Sequence, residues 1–238
     1  MLRALEASPE GMTLSQLASA VGLAKSTVHR IVGALEAEDL VGTGSDGRLR
    51  LGRGLAQLGA SARGALRQEL RPVLVHLAQE TGETVDLSVL DGSHARFIDQ
   101  VPSNHRLQAV SAVGVSFPLH STANGKALLA ALPPGHAAAI LPPRLQRETP
   151  HTITARRALW AELDAIRRAG VAYDREEHTE GICAVGAVVR DAYGIAGAVS
   201  IPVPASRFSE REGALVSALH EAVAAAEAAL GAPRGLSD

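Results

Sequence analysis

Hydrogen-bond donors cluster in the short stretch KSTVHR. Every side chain in it except Val28 can donate to phosphate oxygens or to the edges of bases. No acidic residue interrupts the stretch, and a glycine follows three residues later. A glycine inside a helix costs about 1 kcal/mol relative to alanine, so close approach of a partner would explain it. The residue types predict contact with nucleic acid through Lys25, Ser26, Thr27, His29, Arg30 and Gly33.

An amphipathic helix must position these donors. Apolar residues recur at Val28, Ile31, Val32 and Leu35, the spacing of one helical stripe, which predicts a helix over 24–37. The donors lie on its other face or on its flank. Upstream, Thr13-x-x-Gln16 is a capping box that opens a shorter helix, and Gly22 ends it. Two short helices joined at a glycine turn predict a helix-turn-helix.

Two short extended runs follow the second helix. Asp46-Gly47 is a tight-turn dipeptide between them, so we predict a two-stranded wing. Because side chains alternate along a strand, Arg48 and Arg50 are expected on the solvent side. From there they could reach the DNA backbone or the adjacent minor groove.

Composition sets limits on the class of protein. The 238-residue chain has a net charge of −2, which gives no support to a nucleic-acid partner. Aromatic residues make up only 3%, so the core must be built from Ala, Leu and Val. No apolar run is long enough to span a membrane, and the first residues lack the features of a signal peptide. The single cysteine, Cys183, fits a reducing compartment, so we expect a cytoplasmic protein.

The rest of the chain has the pattern of an α+β domain. Two alternating runs surround Asp91-Gly92, a further strand is expected over 105–114, and a helix follows with Ser121 or Thr122 as its cap. Later signals are a helix capped by Thr154, three strands, and a helix opened by a capping box at Ser209-x-x-Glu212. Strand hairpins with helices grouped between them predict an antiparallel sheet covered by helices.

Pro72 interrupts the helical pattern between the two parts. Proline suits the first turn of a helix better than its interior, so we expect a break there. The expected domains are 1–62 for the winged helix-turn-helix, 63–71 for a linker helix, and 72–238 for the second domain.

The sequence GLAKSTVHRIVGALEAEDLV, followed by GRLRLGRGLAQLG, resembles the winged helix-turn-helix of the IclR family of bacterial transcriptional regulators. The Lys-Ser-Thr-Val-His-Arg of that family is intact, and its Leu-Arg-Leu-Gly appears after the wing. The resemblance covers nearly the whole chain. It implies that the second domain is a GAF-like antiparallel sheet that binds an effector.

The resemblance also implies the residues of an effector pocket. The segment PLHSTANGKALLA corresponds to a loop-to-helix segment of the family, and a helix N-terminus suits a carboxylate. From the residues alone, an ordinary capped helix explains this segment at least as well. Position-matching to the family places on the pocket Leu107, Phe117, Ala123, Asn124, Asp174, Ala184 and Ser200.

Two positions depart from the family pattern. Many members have a cysteine three residues after the glycine that corresponds to Gly181, whereas here Ala184 fills that position. Cys183 comes one residue earlier, so on a strand its thiol points to the opposite face. A second polar position of the family is Pro202 here. We therefore expect a less polar pocket with room for a larger ligand.

Several functions remain open on the residues alone. An enzyme could use Cys183 with His120 or His178, although no nucleophile motif surrounds the cysteine. The run EEHTE could hold a metal, but its spacing matches no strong ligand motif. The helical unit could also bind protein as part of a GAF-type signalling module. The resemblance favours a DNA-binding regulator of repressor type that acts as a dimer or dimer of dimers, responds to a small organic acid and needs no cofactor.

Overall fold

The computed structural model describes residues 1–109, 111 and 113–232. The chain divides into two compact units, Met1–Ala65 and the part from Leu66 onward. The first unit contains α1 (Leu2–Glu6), α2 (Leu14–Val21), α3 (Lys25–Ala37), β1 (Val41–Thr43) and β2 (Leu49–Leu51). The helix α4 (Gly54–Thr81) begins in the first unit and ends in the second.

The helix-turn-helix is formed by α2 and α3, as predicted. The Thr13 side chain accepts a hydrogen bond from the Gln16 backbone N–H, and the Gln16 side chain accepts one from the Thr13 backbone N–H. Gly22 ends α2 in the left-handed conformation, with φ of 66°. Val28 and Val32 are buried beneath α3, so the other face of this helix is left outward.

The predicted wing is also present. Strands β1 and β2 pair in antiparallel register, with Val41 opposite Leu51 and Thr43 opposite Leu49. Gly47 takes a positive φ of 71° in the connecting turn, which residues with a side chain rarely adopt.

The expected break at Pro72 is wrong, because α4 continues through this proline. A proline inside a helix costs about 3 kcal/mol. Three leucines within two helical turns of Pro72 are almost completely buried in the core of the second unit: Leu70, Leu74 and Leu77. Each buried leucine contributes roughly 1.5–3 kcal/mol, which outweighs the cost of the proline.

The second unit is a six-stranded antiparallel sheet with helices packed on it. Its strands lie in the order β5-β4-β3-β8-β7-β6. The elements after α4 are β3 (Val85–Asp91), β4 (His94–Val101), β5 (Ser116–Pro118), α5 (Ala123–Ala131), α6 (Pro134–Ile140), α7 (Arg156–Ala169), β6 (Ala172–Arg175), β7 (Ile182–Asp191), β8 (Gly194–Pro204) and α8 (Ala205–Ala229).

The two faces of this sheet carry different side chains. One face packs with α4 and α8 into an apolar cluster, and we call it the core face; it includes Val85, Leu87, Cys183, Val185, Val199, Ile201 and Val203. The alternate residues face the other way, towards α5, and we call this the cavity face; it includes Asp86, Ala184, Gly186, Ser200 and Pro202.

Three local predictions in this unit are wrong. The described residues within 105–114 form no strand, and the edge strand is β5 instead; Val110 and Ala112 lie outside the described residues. Helix α7 starts after Ala155 without a side-chain cap, because the Thr154 hydroxyl accepts from Arg147. Helix α8 starts directly after Pro204, because Glu212 forms a two-bond ion pair with Arg175 rather than a capping box.

Candidate functional site

The outer face of α3 is open to solvent. Lys25, Ser26, His29 and Arg30 are exposed, and Thr27 is half-buried. A side chain added at Gly33 would meet no atom within 4 Å. The predicted donors are therefore displayed together on one helix face, with a bare patch of backbone beside them.

The two wing arginines are held by the protein itself. One Arg48 guanidinium nitrogen donates to the Gly11 carbonyl at 3.0 Å. Arg50 forms an ion pair with Asp46, with contacts of 3.0 and 2.7 Å, and also donates to the Glu10 carbonyl. Both side chains remain partly exposed on either side of the buried Leu49, as the alternation predicted, but their guanidinium groups are not without partners. Their donors are used to fix the wing turn and the segment that precedes α2.

The second unit contains a cavity of about 210 Å³ between the cavity face of the sheet and the N-terminus of α5. Polar and apolar side chains both line it. The lining residues are Asp86, Phe97, Gln108, Ala109, Ser111, Phe117, Thr122, Ala123, Asn124, Asp174, His178, Thr179, Ile182, Ala184, Ser200 and Pro202.

Glycines allow α5 to lie close to the sheet. A Cβ at Gly186 would meet Ala123 at 3.0 Å, and a Cβ at Gly125 would meet the Leu119 backbone at 2.5 Å. Thr122 caps the helix by accepting from the Gly125 N–H at 3.1 Å. The first N–H groups of a helix have no partner within it, and Ala123 and Asn124 of the first turn of α5 line the cavity.

Asn124 occupies the first turn of α5 and is 1% exposed. Neither its amide nitrogen nor its amide oxygen has a hydrogen-bond partner among the described residues. A buried polar group without a partner costs about 1–3 kcal/mol, and most such groups in proteins are satisfied. An amide that can donate and accept inside a cavity is suited to a ligand with complementary groups.

Asp86 lies on β3 in the floor of the cavity. Its two carboxylate oxygens accept from the Gln100 side chain at 2.7 Å and from the Ser111 hydroxyl at 2.8 Å. Burial nevertheless raises the pKa of Asp86 to about 6, because these neutral donors only partly replace water. The backbone carbonyl of Gln100 in turn accepts from Arg71 on α4 at 2.8 Å. The cavity floor is thus connected to α4 through two successive contacts.

Asp174 lies at the end of β6. Burial raises its pKa to about 7. The Glu177 backbone N–H donates to its Oδ1 at 2.7 Å, which opposes that rise but does not cancel it. The side chain of Glu177 contacts Lys126, which is fully buried and donates to Glu177 at 2.5 Å and to Glu162 at 3.2 Å. The charged cluster ties α5 to the loop that closes one side of the cavity.

Aromatic rings form an apolar wall. The rings of Phe97 and Phe117 meet edge to face with centroids 5.0 Å apart, and the His178 ring lies 4.4 Å from Phe117. Burial lowers the pKa of His178, so its ring is neutral near pH 7. The cavity therefore combines a ring-sized apolar wall with polar groups at the α5 end.

Known proteins share this architecture. The family model for the IclR C-terminal domain of bacterial transcriptional regulators matches residues 60–228, and the model for the IclR helix-turn-helix domain matches residues 1–43. The chain belongs to the IclR family. It is a DNA-binding transcriptional regulator with an effector-binding domain, and not an enzyme.

Individual relatives cover most of the chain. HTH-type transcriptional regulator Rv1719 of Mycobacterium tuberculosis is 53% identical over 92% of this chain and 85% of its own length. HTH-type transcriptional regulator TtgV of Pseudomonas putida is 38% identical over 97% and 89%. Among solved structures, an IclR homologue of Microbacterium hydrocarbonoxydans in complex with 4-hydroxybenzoate has a TM-score of 0.67 at 26% identity, covering 92% of this chain and 91% of the other.

The structure gathers six of the seven effector residues assigned by position-matching to the IclR family around one cavity. Leu107 is the exception: it is 62% exposed, and only its backbone carbonyl is held, by Arg207. Leu107 lies in a part of the chain that forms no strand, and its side chain faces solvent there. The neighbouring Gln108 and Ala109 line the cavity instead.

Cys183 points away from the cavity, as its register predicted. It lies in the apolar cluster of the core face, and burial raises the pKa of its thiol. Its neighbour Ala184 lines the cavity. Nucleophilic chemistry with His120 or His178 has no support here, because His178 lies on the cavity side and His120 bonds to the Gln146 carbonyl.

Several lining residues were not anticipated from the sequence, chiefly Asp86, Phe97, Gln108, Ser111 and His178. A signal was present for Asp86, because an acidic residue that alternates with apolar residues in the strand VDLSV must face either water or a polar site. No comparable signal marked Gln108 or Ser111, which belong to an irregular segment.

Among the described residues, no helix has the length and apolar character needed to cross a membrane.

Proposed function

We propose that this IclR-family protein is a repressor that binds operator DNA as a dimer or dimer of dimers and responds to a small organic acid. The observation that carries the effector proposal is Asn124, which lines the cavity and whose two amide atoms have no hydrogen-bond partner among the described residues. The backbone N–H groups at the start of α5 would hold the carboxylate, and Asn124 would bond a further polar group.

The size and lining of the cavity favour a small ligand with an apolar body. Its volume, about 210 Å³, is below the roughly 300–1,000 Å³ typical of pockets for drug-sized molecules. Phe97 and Phe117 offer faces against which a ring could pack. Asp86 can accept a hydrogen bond from a hydroxyl group. A hydroxylated aromatic acid fits all three features, and 4-hydroxybenzoate, the ligand of the Microbacterium homologue, is a suitable first probe.

A neutral hydroxylated ring compound is a second candidate effector. The described residues that line the cavity include two carboxyl groups but no lysine or arginine. A ligand without charge would avoid placing a third carboxylate among them.

Ligand binding could affect the DNA-binding helix, α3, through α4. The cavity floor connects to this helix by the hydrogen bonds from Gln100 to Asp86 and from Arg71 to the Gln100 carbonyl. A ligand that changes the position of Asp86 would bias α4, whose chain continues into the DNA-binding unit. Couplings of this kind are typically worth about 1–3 kcal/mol.

A thermal-shift screen tests the effector. Glyoxylate, pyruvate, 4-hydroxybenzoate and 4-hydroxybenzyl alcohol would be compared on the full chain and on Asn124→Leu. A ligand at a hundredfold excess over its Kd raises stability by about 2.7 kcal/mol. We expect 4-hydroxybenzoate to raise the melting temperature of wild type but not of the variant. Equal shifts in both proteins would place the ligand elsewhere, and a preference for the two small oxo-acids would contradict an aromatic body.

Footprinting on the upstream intergenic DNA tests the reading helix. We expect two protected half-sites, because a two-fold protein gains specificity from paired sites. Arg30→Ala should weaken specific binding by about 1–3 kcal/mol if Arg30 contacts a base. Arg3→Ala is the matched control, since Arg3 is equally charged but pairs with Glu6 on α1. A single half-site, or equal affinities for both variants, would contradict the proposal. Repression itself requires that the protein lowers transcription in vitro from this DNA.

A further inference from the structure

The cavity contains buried carboxyl groups without a basic side chain to pair with them. Asp86 and Asp174 both line it, and the described lining residues include no lysine or arginine. His178 is the remaining titratable group in the lining, and burial keeps its ring neutral near pH 7. A ligand carboxylate in this cavity would be a third acidic group beside Asp86 and Asp174.

The cations nearest to these carboxyl groups are already paired. Lys126 on α5 is shared by two glutamates, so that cluster carries a net negative charge. Arg175 follows Asp174 on β6 but pairs with Glu212 on α8, and the thiol of Cys183 on β7 faces the core. On the Asp86 side, Arg71 pairs with Asp99. Outside the lining, Glu148 raises and His120 lowers the pKa of His178, whose net shift is downward because of burial.

A ligand carboxylate therefore needs a positive charge that the described lining residues do not provide. The α5 N-terminus offers only a partial positive charge. Two carboxylates in one site are stable when one of them holds a proton, which then bridges them. We infer that this protein takes up one proton when it binds the carboxylate of its effector, and that the proton resides on Oδ2 of Asp174. The inference rests on the proposed organic-acid effector.

The hydrogen bonds distinguish Asp174 from Asp86. Both oxygens of Asp86 accept from side-chain donors, so its charged form is stabilised on each side. The donors around Asp174, the backbone N–H groups of Glu177 and His178, both end on Oδ1. The Oδ2 atom is thus the one that can hold a proton and donate it to a ligand. The higher pKa of Asp174, about 7 against about 6 for Asp86, agrees with this assignment.

Proton uptake makes a specific pH dependence. Below about pH 6 Asp174 already holds its proton, so binding should not depend on pH. Above pH 7.5 the proton must come from solution, and the Kd for an anionic ligand should rise about tenfold per pH unit. A ligand without a carboxylate should show a weaker dependence, because it adds no charge.

Calorimetry on the full chain tests the inference directly. Titration with 4-hydroxybenzoate in two buffers of different ionisation enthalpy, at pH 6 and pH 8, gives the number of protons taken up. We expect close to one proton at pH 8 and close to none at pH 6. Binding at pH 8 without proton uptake would overturn the inference and leave the organic-acid proposal intact. Binding of 4-hydroxybenzyl alcohol alone, or of neither probe, would overturn the organic-acid proposal and the inference with it.

Three variants identify the group. Asp174→Asn should abolish proton uptake and should bind the acid at pH 8 at least as tightly as wild type, since it mimics the protonated carboxyl. Asp164→Asn is the matched control, because this exposed aspartate pairs only with Arg167 on α7 and should leave uptake unchanged. Loss of uptake in Asp86→Asn with uptake retained in Asp174→Asn would overturn the assignment to Asp174.

Discussion

The two faces of the six-stranded sheet alternate along the same strands but have opposite character. Leu87, Val185 and Val199 on the core face are 0–1% exposed and belong to the apolar cluster that includes residues of α4 and α8. Asp86 and Ser200, each one residue away, face the cavity. A step of one residue therefore separates positions that hold the fold together from positions that contact a ligand. The comparison predicts that stability and ligand binding respond to different residues.

The largest expected effect is on the core face. Leu87→Ala should lower the free energy of unfolding by about 2–5 kcal/mol, because it removes buried contacts and leaves a cavity. Ser200→Ala, on the neighbouring strand but on the cavity face, should cost less than about 1.5 kcal/mol. The single tryptophan, Trp160, packs in the second unit, so its fluorescence in urea reports on this unit. Similar losses for both variants would show that the faces do not differ in this way.

A second effect is expected from pH and depends on Asp174. Its pKa is raised from 3.8 to about 7 in the folded protein, so the folded state holds a proton that the unfolded state has released. The stability from this group is present below pH 4 and is lost as pH rises through 7. One pKa unit corresponds to about 1.4 kcal/mol, so the change amounts to a few kcal/mol. Asp174→Asn should unfold with a flatter pH profile and should be more stable than wild type at pH 8.

The pH dependence of stability in wild type and in Asp174→Asn can contradict this expectation. Urea midpoints of the two proteins between pH 4 and 8 give the comparison. Parallel curves would mean that Asp174 is ionised in the folded protein, and the cavity face would then be more hydrated than its burial indicates.

Asn124 provides the third contrast. Asn124→Leu should weaken binding of 4-hydroxybenzoate at least tenfold, which is about 1.4 kcal/mol. It should not lower the stability of the ligand-free protein, because it removes two buried polar atoms that lack partners. Calorimetry and urea unfolding measure the two quantities. A large loss of stability with unchanged binding would reverse the roles assigned to the faces.

The smallest effect is expected at the cysteine. Cys183→Ser should leave DNA binding and the effector response near wild type, with only a small loss of stability from a hydroxyl group in the core. The thiol of wild type should react slowly with a water-soluble thiol reagent at pH 7, because it is buried and its pKa is raised. The double variant Cys183→Ser with Ala184→Cys moves the thiol to the cavity face and should react faster. Equal rates would contradict the register.

Regular periodicity explains which parts of the fold could be predicted. The apolar spacing of α3, the capping box of α2 and the turn at Asp46-Gly47 each depend on a few neighbouring residues, and all three are present in the structure. Alternation along β7 also placed Cys183 and Ala184 on opposite faces. These features depend on local geometry that the sequence specifies directly.

Features that depend on tertiary contacts were missed. The helix continues through Pro72 because leucines on both sides are buried in the core, which no local rule anticipates. Arg50 is held at the surface by Asp46 in the same turn and by the Glu10 carbonyl, a contact that local alternation does not anticipate. Likewise, the irregular segment around Leu107 has no period from which its direction could be read. The buried leucines beside Pro72 and the contact of Arg50 with Glu10 both depend on segments that are distant along the chain.

The central claim is that a ligand bound at the cavity face controls the affinity of α3 for DNA. Fluorescence anisotropy of labelled upstream intergenic DNA tests this claim most directly. The Kd of the full chain for this DNA would be measured with and without saturating 4-hydroxybenzoate, in wild type and in Asn124→Leu. We predict that the acid shifts the Kd of wild type by about 5- to 150-fold and leaves that of the variant unchanged. An equal shift in both proteins, or no shift in wild type when calorimetry shows the acid bound, would contradict the account.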